Sequence, residues 1–244
     1  MNKFSDIKAV IFDYGGTLDT NTRHWANVLW EAYQHVGFPL TEEQFREAYV
    51  FGERALAKAP IVKPDDDFFH LLLKKVEVEL EWLEFNGTLK ITGLQQQAYI
   101  YDIARYCNNI VLKNMTETRS VLEALKNKYK FVLVSNFYGN IHTVLKTYDI
   151  DGYFPDIVES SVVGVRKPDP RIWQLGVERA GVKAEECVVV ADNFQKDIAP
   201  AHSIGCHTIW LKGEGWMKKE EADESIPDAI VTDIKDVPAL LLGK

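Results

Sequence analysis

Cysteine is scarce in this chain. Its 244 residues hold three, Cys107, Cys187 and Cys206, an odd number set far apart. Such a set excludes a disulfide framework and fits buried thiols in a reducing compartment. Basic residues are in deficit as well: 28 Lys and Arg stand against 36 Asp and Glu, a net charge of −8. With no basic run to offset it, that balance excludes a nucleic-acid phosphate backbone as the main partner. Long apolar runs are also missing. The greasiest helical stretch, Phe68 to Phe85, carries Lys74, Lys75, Glu77, Glu79, Glu81 and Glu84, and so cannot span a bilayer. Near the start the apolar run is short and Asp13 interrupts it, so no signal peptide is expected. There is no internal repeat and no low-complexity tract. These absences lead to the expectation of a soluble, cytoplasmic protein with no membrane partner. The length allows one large domain or a core with a smaller insert. Nothing in the sequence sets an oligomeric state.

What is present begins with Val10-Ile11-Phe12, an apolar, β-favouring run that ends on a carboxylate, Asp13. Gly15, Gly16 and Thr17 follow. The run predicts a short buried strand, and the glycines predict a tight turn whose backbone can approach a ligand closely. In an open α/β sheet, ligands bind beyond the carboxyl ends of the strands, where Asp13 would sit. Alone, the stretch reads equally as a strand, a turn and a capping aspartate.

From about Thr22 to Met115 the chain reads as helical. Trp25, Leu29, Ala32, Tyr33 and Val36 fall at helical spacing, and Gly37-Phe38-Pro39 ends the segment. Thr41 with Gln44 predicts a capping box. An amphipathic helix is expected from about Asp66 to Phe85, closed by Asn86-Gly87-Thr88, and another over roughly Gly93 to Cys107. Four helices in succession predict a small bundle. Beyond it, strands and helices alternate. Helices are expected over Glu117–Lys128, Ile141–Tyr148, Arg171–Ala180, Ile198–Ile204 and Val237–Leu242. Strands are expected at Phe131–Val134, Ile157-Val158, Cys187–Ala191, His207–Leu211 and Ala229–Val231. This alternation predicts an α/β fold: a three-layer, Rossmann-like parallel sheet with helices on both sides. The core comprises residues 1–20 and 116–244. The bundle, residues 21–115, is inserted after the first strand and would hang over the carboxyl edge of the sheet as a lid.

Four positions fall at or just beyond strand ends: Asp13, Ser135-Asn136, Lys167, and Asp192 with Asp197. Each has an ordinary reading, as a turn, a solvated loop charge or a helix cap. Together they are chemically coherent. Asp13 and Asp192 can hold a hard cation such as Mg²⁺, which prefers oxygen ligands. A Ser hydroxyl and a Lys ammonium can hold phosphate oxygens. A carboxylate placed in line can attack phosphorus and form an aspartyl-phosphate.

Four segments now carry a resemblance over nearly the whole chain. They are Asp13-Tyr14-Gly15-Gly16-Thr17, Val132-Leu133-Val134-Ser135-Asn136, Arg166-Lys167-Pro168, and Ala191-Asp192 through Asp197. In that order, with a helical insert after the first, the chain resembles the haloacid dehalogenase-superfamily hydrolases with a helical cap. The resemblance implies Asp13 as nucleophile and Ser135 as the phosphate-binding hydroxyl with Asn136 beside it. It implies Lys167 as the charge-stabilising lysine and Asp192 as a Mg²⁺ ligand. Asp197 would support the metal directly or through water, and the backbone carbonyl of Gly15 would reach it.

One position departs from the pattern. Family phosphatases usually carry a second aspartate, the general acid, where this chain has Gly15. Loss of a general acid typically costs about 10² to 10⁴ in rate. Asp19 and His24 are possible substitutes, but Asp19 is expected to cap structure and His24 to lie on the cap surface. Arg23 and Arg54 are expected to be surface charges. Trp25, Tyr33 and Phe51 are candidates to line a pocket, with bundle core as their ordinary reading. Gly213-Glu214-Gly215-Trp216 reads as a loop bordering the cleft or as an exposed turn. The expected function is a Mg²⁺-dependent phosphatase of a small phosphorylated metabolite. The alternatives are a protein that binds a phospho-ligand with little or no turnover, and a metal-free 2-haloacid dehalogenase. That last branch usually places tyrosine two residues after the nucleophile, whereas here Tyr14 is one residue after it.

Overall fold

Six short apolar runs become the strands of one sheet. In the computed structural model, which describes residues 3–216 and 222–243, they are β1 (Ala9–Phe12), β2 (Lys130–Ser135), β3 (Asp156–Glu159), β4 (Cys187–Ala191), β5 (His207–Leu211) and β6 (Ala229–Val231). All pairings are parallel, in the order β3-β2-β1-β4-β5-β6. β1 therefore lies inside the sheet although the chain reaches its neighbours only later. Phe12 sits opposite Leu133 on β2 and Val190 on β4. Asp13 is thus level with Val134 and Ala191, and Ser135 and Asp192 come next along their own chains.

Successive residues of these strands enter different cores, as a period of two requires. Val10, Phe12, Leu133, Val188 and Val190 face one side, and Ala9, Ile11, Val132, Val134, Val189 and Ala191 the other. On the second side lie α7 (Arg171–Ala180), through Ile172, Trp173 and Val177, and α8 (Ala199–Ser203), through Ala201. The first side is covered by α5 (Ile141–Thr147), α9 (Val237–Leu242) and the end of α4 (Gly93–Leu125). The short α6 (Ser160–Val163) follows β3. This is the expected three-layer α/β arrangement.

Between β1 and β2 run α1 (Trp25–His35), α2 (Glu42–Lys58), α3 (Phe68–Phe85) and α4. The expected capping box opens α2: the Thr41 hydroxyl accepts from the Gln44 amide at 3.3 Å, and Gln44 Oε1 accepts from the Thr41 amide at 3.0 Å. The apolar faces of the four helices belong to the same buried cluster as the first side of the sheet, so helical insert and sheet share one core. Among the described residues, no helix is long and apolar enough to cross a membrane.

The structure departs from the sequence pattern at α4. Separate helices are expected over Gly93–Cys107 and Glu117–Lys128, but one helix of 33 residues spans Gly93 to Leu125. The boundary drawn between residues 115 and 116 falls inside it. The reason is local: buried Ile103, Cys107, Val111, Met115, Thr118, Leu122 and Leu125 keep three- and four-residue spacing throughout, and no proline or glycine interrupts them. This continuity places α4 against the segment after β1. The Thr118 hydroxyl donates to the Leu18 carbonyl at 2.7 Å, and the Asn114 amide donates to the Asp19 carbonyl at 3.1 Å. Thr118→Val keeps the shape and removes the buried donor. It should cost about 1–2 kcal/mol in urea unfolding, and a midpoint equal to wild type would show that this anchor carries no stability.

Candidate active site

The floor of the site is the chain that leaves β1. Gly15 is extended, with φ −75° and ψ 122°, and Gly16 is left-handed, with φ 88°. The turn is fastened by Asp19. Its Oδ1 accepts from the Gly16 amide at 2.8 Å and the Thr20 hydroxyl at 3.1 Å, and its Oδ2 accepts from the Trp25 indole N–H at 2.8 Å. Asp19 is fully buried. Burial pushes its carboxyl up to about 7, against the opposing pull of its donors. As expected, Asp19 is a structural residue.

The two glycines differ in what they require. A Cβ on Gly16 would lie 2.3 Å from Asp192 Oδ2, and its backbone is left-handed besides. Gly16 is therefore the gap through which the Asp192 carboxylate reaches the end of β1. A Cβ on Gly15 would meet only the Trp25 indole, at 3.6 Å. The wall beside position 15 is thus the indole that Asp19 holds.

Around this floor the acidic residues converge. Asp13, Asp192 and Asp197 each offer an oxygen, and the three oxygens lie within 4.8 Å of one another. Asp192 directly follows β4, and Thr17 donates its hydroxyl to Asp192 Oδ1 at 3.3 Å. Asp197 follows on the turn after it, where Asn193 Oδ1 caps the Lys196 amide at 2.8 Å. The Lys167 ammonium bridges the group, 2.6 Å from Asp13 Oδ1 and 2.9 Å from Asp197 Oδ1. Its nitrogen also lies 4.6 Å from the Trp173 ring centroid. Burial pulls the lysine's pKa down, but the charges and hydrogen bonds of Asp13 and Asp197 outweigh it and leave it raised. Asp192 is pushed well above the carboxylate range, first by burial and then by the charges of Asp13 and Asp197. Asp197 rises to about 6, chiefly through burial, with Lys167 opposing. One ammonium does not neutralise three clustered carboxylates, two of them buried and Asp192 half-buried. A site of hard oxygen donors with excess negative charge, and a glycine where a Cβ would fill it, fits a small divalent cation.

Asn136 has a second task. Its Oδ1 accepts from the Lys167 amide at 3.0 Å, and its Nδ2 donates to the Lys167 carbonyl at 3.2 Å. It therefore clamps the backbone that carries the lysine. The loop after Ser135 is held by Glu159, which accepts from the Gly139 amide at 2.5 Å, and by Ser160, whose hydroxyl accepts from the Phe137 amide at 3.1 Å.

All seven residues singled out in the sequence, Asp13, Gly15, Ser135, Asn136, Lys167, Asp192 and Asp197, line one cavity of about 170 Å³. The helical insert forms its other wall with His24, Trp25, Tyr49, Glu53 and Lys75, and Arg166 and Lys196 join from the sheet side. Of these, Tyr49, Glu53 and Lys75 escape the sequence motifs, while Arg166 and Lys196 lie within motif segments without having been singled out. One signal points to Lys75: with Glu79 it lies on the stripe of α3 that also buries Leu72, Val76 and Leu83, where a solvated charge does not belong.

His24 corrects an expectation. It is half-buried and lines the cavity rather than the outer surface. Its Nδ1 caps α1 by accepting from the Ala26 amide at 3.1 Å, and its ring stacks on Trp216 at 5.8 Å and 6°. Burial, with the nearby Lys196 charge, pulls its pKa down to about 4. Of the Gly213–Trp216 loop, residues 213–215 are exposed, and Trp216 borders the cleft through His24 and Tyr49. Trp25 lines the cavity, whereas Tyr33 is core and donates its hydroxyl to Glu79 at 2.9 Å. Phe51 is 41% exposed and stacks on Trp82. Arg54 is exposed, and Arg23 pairs with Glu31, as expected of surface charges.

A family model for haloacid dehalogenase-like hydrolases matches residues 7–205, a span that contains all seven of these positions. The chain belongs to this family of hydrolases. Among relatives of this haloacid dehalogenase-like hydrolase, a phosphoglycolate phosphatase of Aliivibrio fischeri is 26% identical over 98% of each chain. A glyceraldehyde 3-phosphate phosphatase of Methanothermobacter thermautotrophicus is 28% identical over 96% of this chain and 98% of its own. Solved structures share the fold. A 2-haloacid dehalogenase from Pseudomonas syringae superposes with a TM-score of 0.53 at 22% identity, covering 97% of this chain and 99% of its own. A haloacid dehalogenase-family phosphatase from Thermococcus onnurineus gives 0.51 at 20%, covering 98% and 99%.

In this hydrolase the two glycines should respond differently to the same methyl group. Gly16→Ala should lose thermal stability and displace the Asp192 carboxylate, while Gly15→Ala should melt like wild type. Equal melting temperatures for the two variants would contradict the close approach at Gly16. A second expectation concerns pH. Burial, opposed by Lys75 and Tyr33, holds Glu79 at about 7, above its ordinary 4.5. Its raised folded value favours the fold fully below about 4.5, and that contribution is lost as pH rises through 7. Denaturation between pH 5 and 8 should show this fall in stability, and Glu79→Gln should lessen it, the remainder coming from the raised carboxyls of Asp19, Asp192 and Asp197. An unchanged slope in the variant would remove Glu79 as one of its sources.

Proposed function

We propose that the chain is a Mg²⁺-dependent phosphatase of a small phosphorylated metabolite, acting through an aspartyl-phosphate on Asp13. The observation that carries this reading is the approach of Asp13, Asp192 and Asp197 to within 4.8 Å around the Lys167 ammonium. The names of the full-length relatives, phosphatases of phosphoglycolate and of glyceraldehyde 3-phosphate, agree with it. Metal-free dehalogenation leaves the clustering of three carboxylates unexplained.

In this reading Asp13, Asp192, Asp197 and the Gly15 carbonyl would hold Mg²⁺, which supplies neutralising charge at the phosphate oxygens. The Ser135 hydroxyl donates to a phosphate oxygen. Lys167, held by Asn136, neutralises repulsion between the Asp13 carboxylate and the incoming dianion. An Asp13 oxygen bonds to phosphorus as the bond from phosphorus to the ester oxygen breaks. With glycine at position 15 the leaving oxygen takes its proton from water. A water molecule then attacks phosphorus, freeing phosphate and the Asp13 carboxylate. Leaving groups that need no proton, aryl and acyl phosphates, should therefore turn over faster than alkyl phosphates. We read residues 21–115 as a cap that closes over a core of residues 1–20 and 116–244 and excludes bulk water.

Gly15 also supports the second reading, a phospho-ligand binder with little turnover. One experiment separates the two. Purified protein should release phosphate from p-nitrophenyl phosphate and acetyl phosphate with Mg²⁺ and not with chelator, and Asp13→Asn should abolish the release. Gly15→Asp should then raise the rate on alkyl phosphates by roughly 10² or more, the range a general acid supplies. Absence of release from any of these compounds would end the phosphatase reading and favour the binder.

A further inference from the structure

The wall of the cavity opposite the sheet edge carries a charged pair from α2 and α3, with Lys75 buried and Glu53 half-buried. Lys75 Nζ is hydrogen-bonded to Glu53 Oε1. It lies 4.5 Å from the Tyr49 ring centroid and 3.9 Å from Glu79 Oε1. Only 4% of the Lys75 side chain is exposed, against 36% of Glu53. Glu53 Oε2 accepts from the Tyr138 hydroxyl at 3.0 Å, so the carboxylate is oriented from both sides of the cleft. Gly52 makes room behind it, since a Cβ there would come within 2.9 Å of Glu79 Cγ. Buried ion pairs are weak sources of stability, often neutral against apolar residues of the same volume. A pair built this carefully into the wall of a catalytic cavity is explained better by what it touches there.

The charges around the cavity say what that is. Arg166 and Lys196, both exposed, also line the cavity. The ceiling pair is neutral by itself, with the Glu53 carboxylate the more exposed member and Glu79 behind Lys75. A further carboxylate on the substrate would meet the like charge of Glu53, the more exposed member of the pair. A hydroxyl or carbonyl oxygen finds both an acceptor and a donor.

We propose that the Glu53–Lys75 pair reads the leaving-group end of the substrate and selects phosphomonoesters of small, uncharged hydroxylated compounds over those bearing a carboxylate. Hydroxyl groups donate to Glu53, and hydroxyl or carbonyl oxygens accept from Lys75. The inference rests on the phosphatase reading. Its test is the ratio of kcat/KM for glyceraldehyde 3-phosphate and glycerol 3-phosphate to kcat/KM for phosphoglycolate, with Mg²⁺. In wild type the ratio should be tenfold or more in favour of the hydroxylated compounds. Glu53→Gln is close to isosteric and unbalances Lys75, so the ratio should move at least tenfold toward phosphoglycolate. Lys75→Met removes the donor and leaves Glu53 unpaired, so the ratio should move the other way. A ratio within one variant is insensitive to the fraction folded, and opposite shifts are not what a merely structural role gives. A wild type that prefers phosphoglycolate, or a Glu53→Gln ratio equal to wild type, overturns the inference. If p-nitrophenyl phosphate is still hydrolysed in that case, the phosphatase reading stands without it. If no compound releases phosphate, both fall.

Discussion

The Lys167 ammonium sits between Asp13 and Asp197, at 2.6 and 2.9 Å, in a region almost closed to water. Three carboxylates within 4.8 Å of one another would otherwise repel strongly in a medium that screens charge poorly. The lysine makes the assembly possible without neutralising it. The residual negative charge is what makes the pocket suit a cation. The protein holds the lysine from below with the Trp173 ring and by its own backbone with two hydrogen bonds from Asn136. Asn136, expected as a substrate-binding group, thus acts through Lys167 as well as lining the cavity.

The chain leaving β1 is under matching constraint. Asp19 collects donors from Gly16, Thr20 and Trp25 and is sealed from solvent, and the unbroken α4 grips the carbonyls of Leu18 and Asp19 from outside. Gly16 lets the Asp192 carboxylate lie against the turn. The side of position 15 is occupied by the Trp25 indole, itself tied to Asp19. At position 15, where the resemblance leads one to expect an aspartate, the glycine has an indole over one side.

Much of this architecture is legible in the residue pattern. The strands are marked by short apolar runs, many of them β-branched, and the inner ones most clearly, because a strand buried on both faces has no polar alternation to obscure it. Asp13, Gly15, Ser135, Asn136 and Asp192 stand out because they lie at or just beyond strand ends, and the strand ends of a parallel sheet share one edge; Asp197 follows on the turn after β4, and Lys167, expected at a strand end, instead lies in the loop beyond the short α6. The single long α4 is harder to read, because Asn108 and Asn109 look like an interruption when apolar spacing is followed only locally. The inner surface of the helical insert is legible least. Glu53, Lys75 and His24 sit on amphipathic helices or at their ends, where a charged residue ordinarily faces water, and only the packing of the insert over the sheet edge turns these side chains toward Asp13.

The sequence by itself determined the strands, the turn chemistry at Gly15-Gly16 and the identities of the groups at the sheet edge, because these depend on local propensity and on a period of two. Tertiary structure alone decided how close those groups come and which charges compensate which. It also decided that a lysine and a glutamate from different helices meet on the wall of the cavity that Asp13 lines. Distances between side chains separated by more than a hundred residues are set by the register of β1 between its neighbours and by helix packing, and no local pattern encodes either.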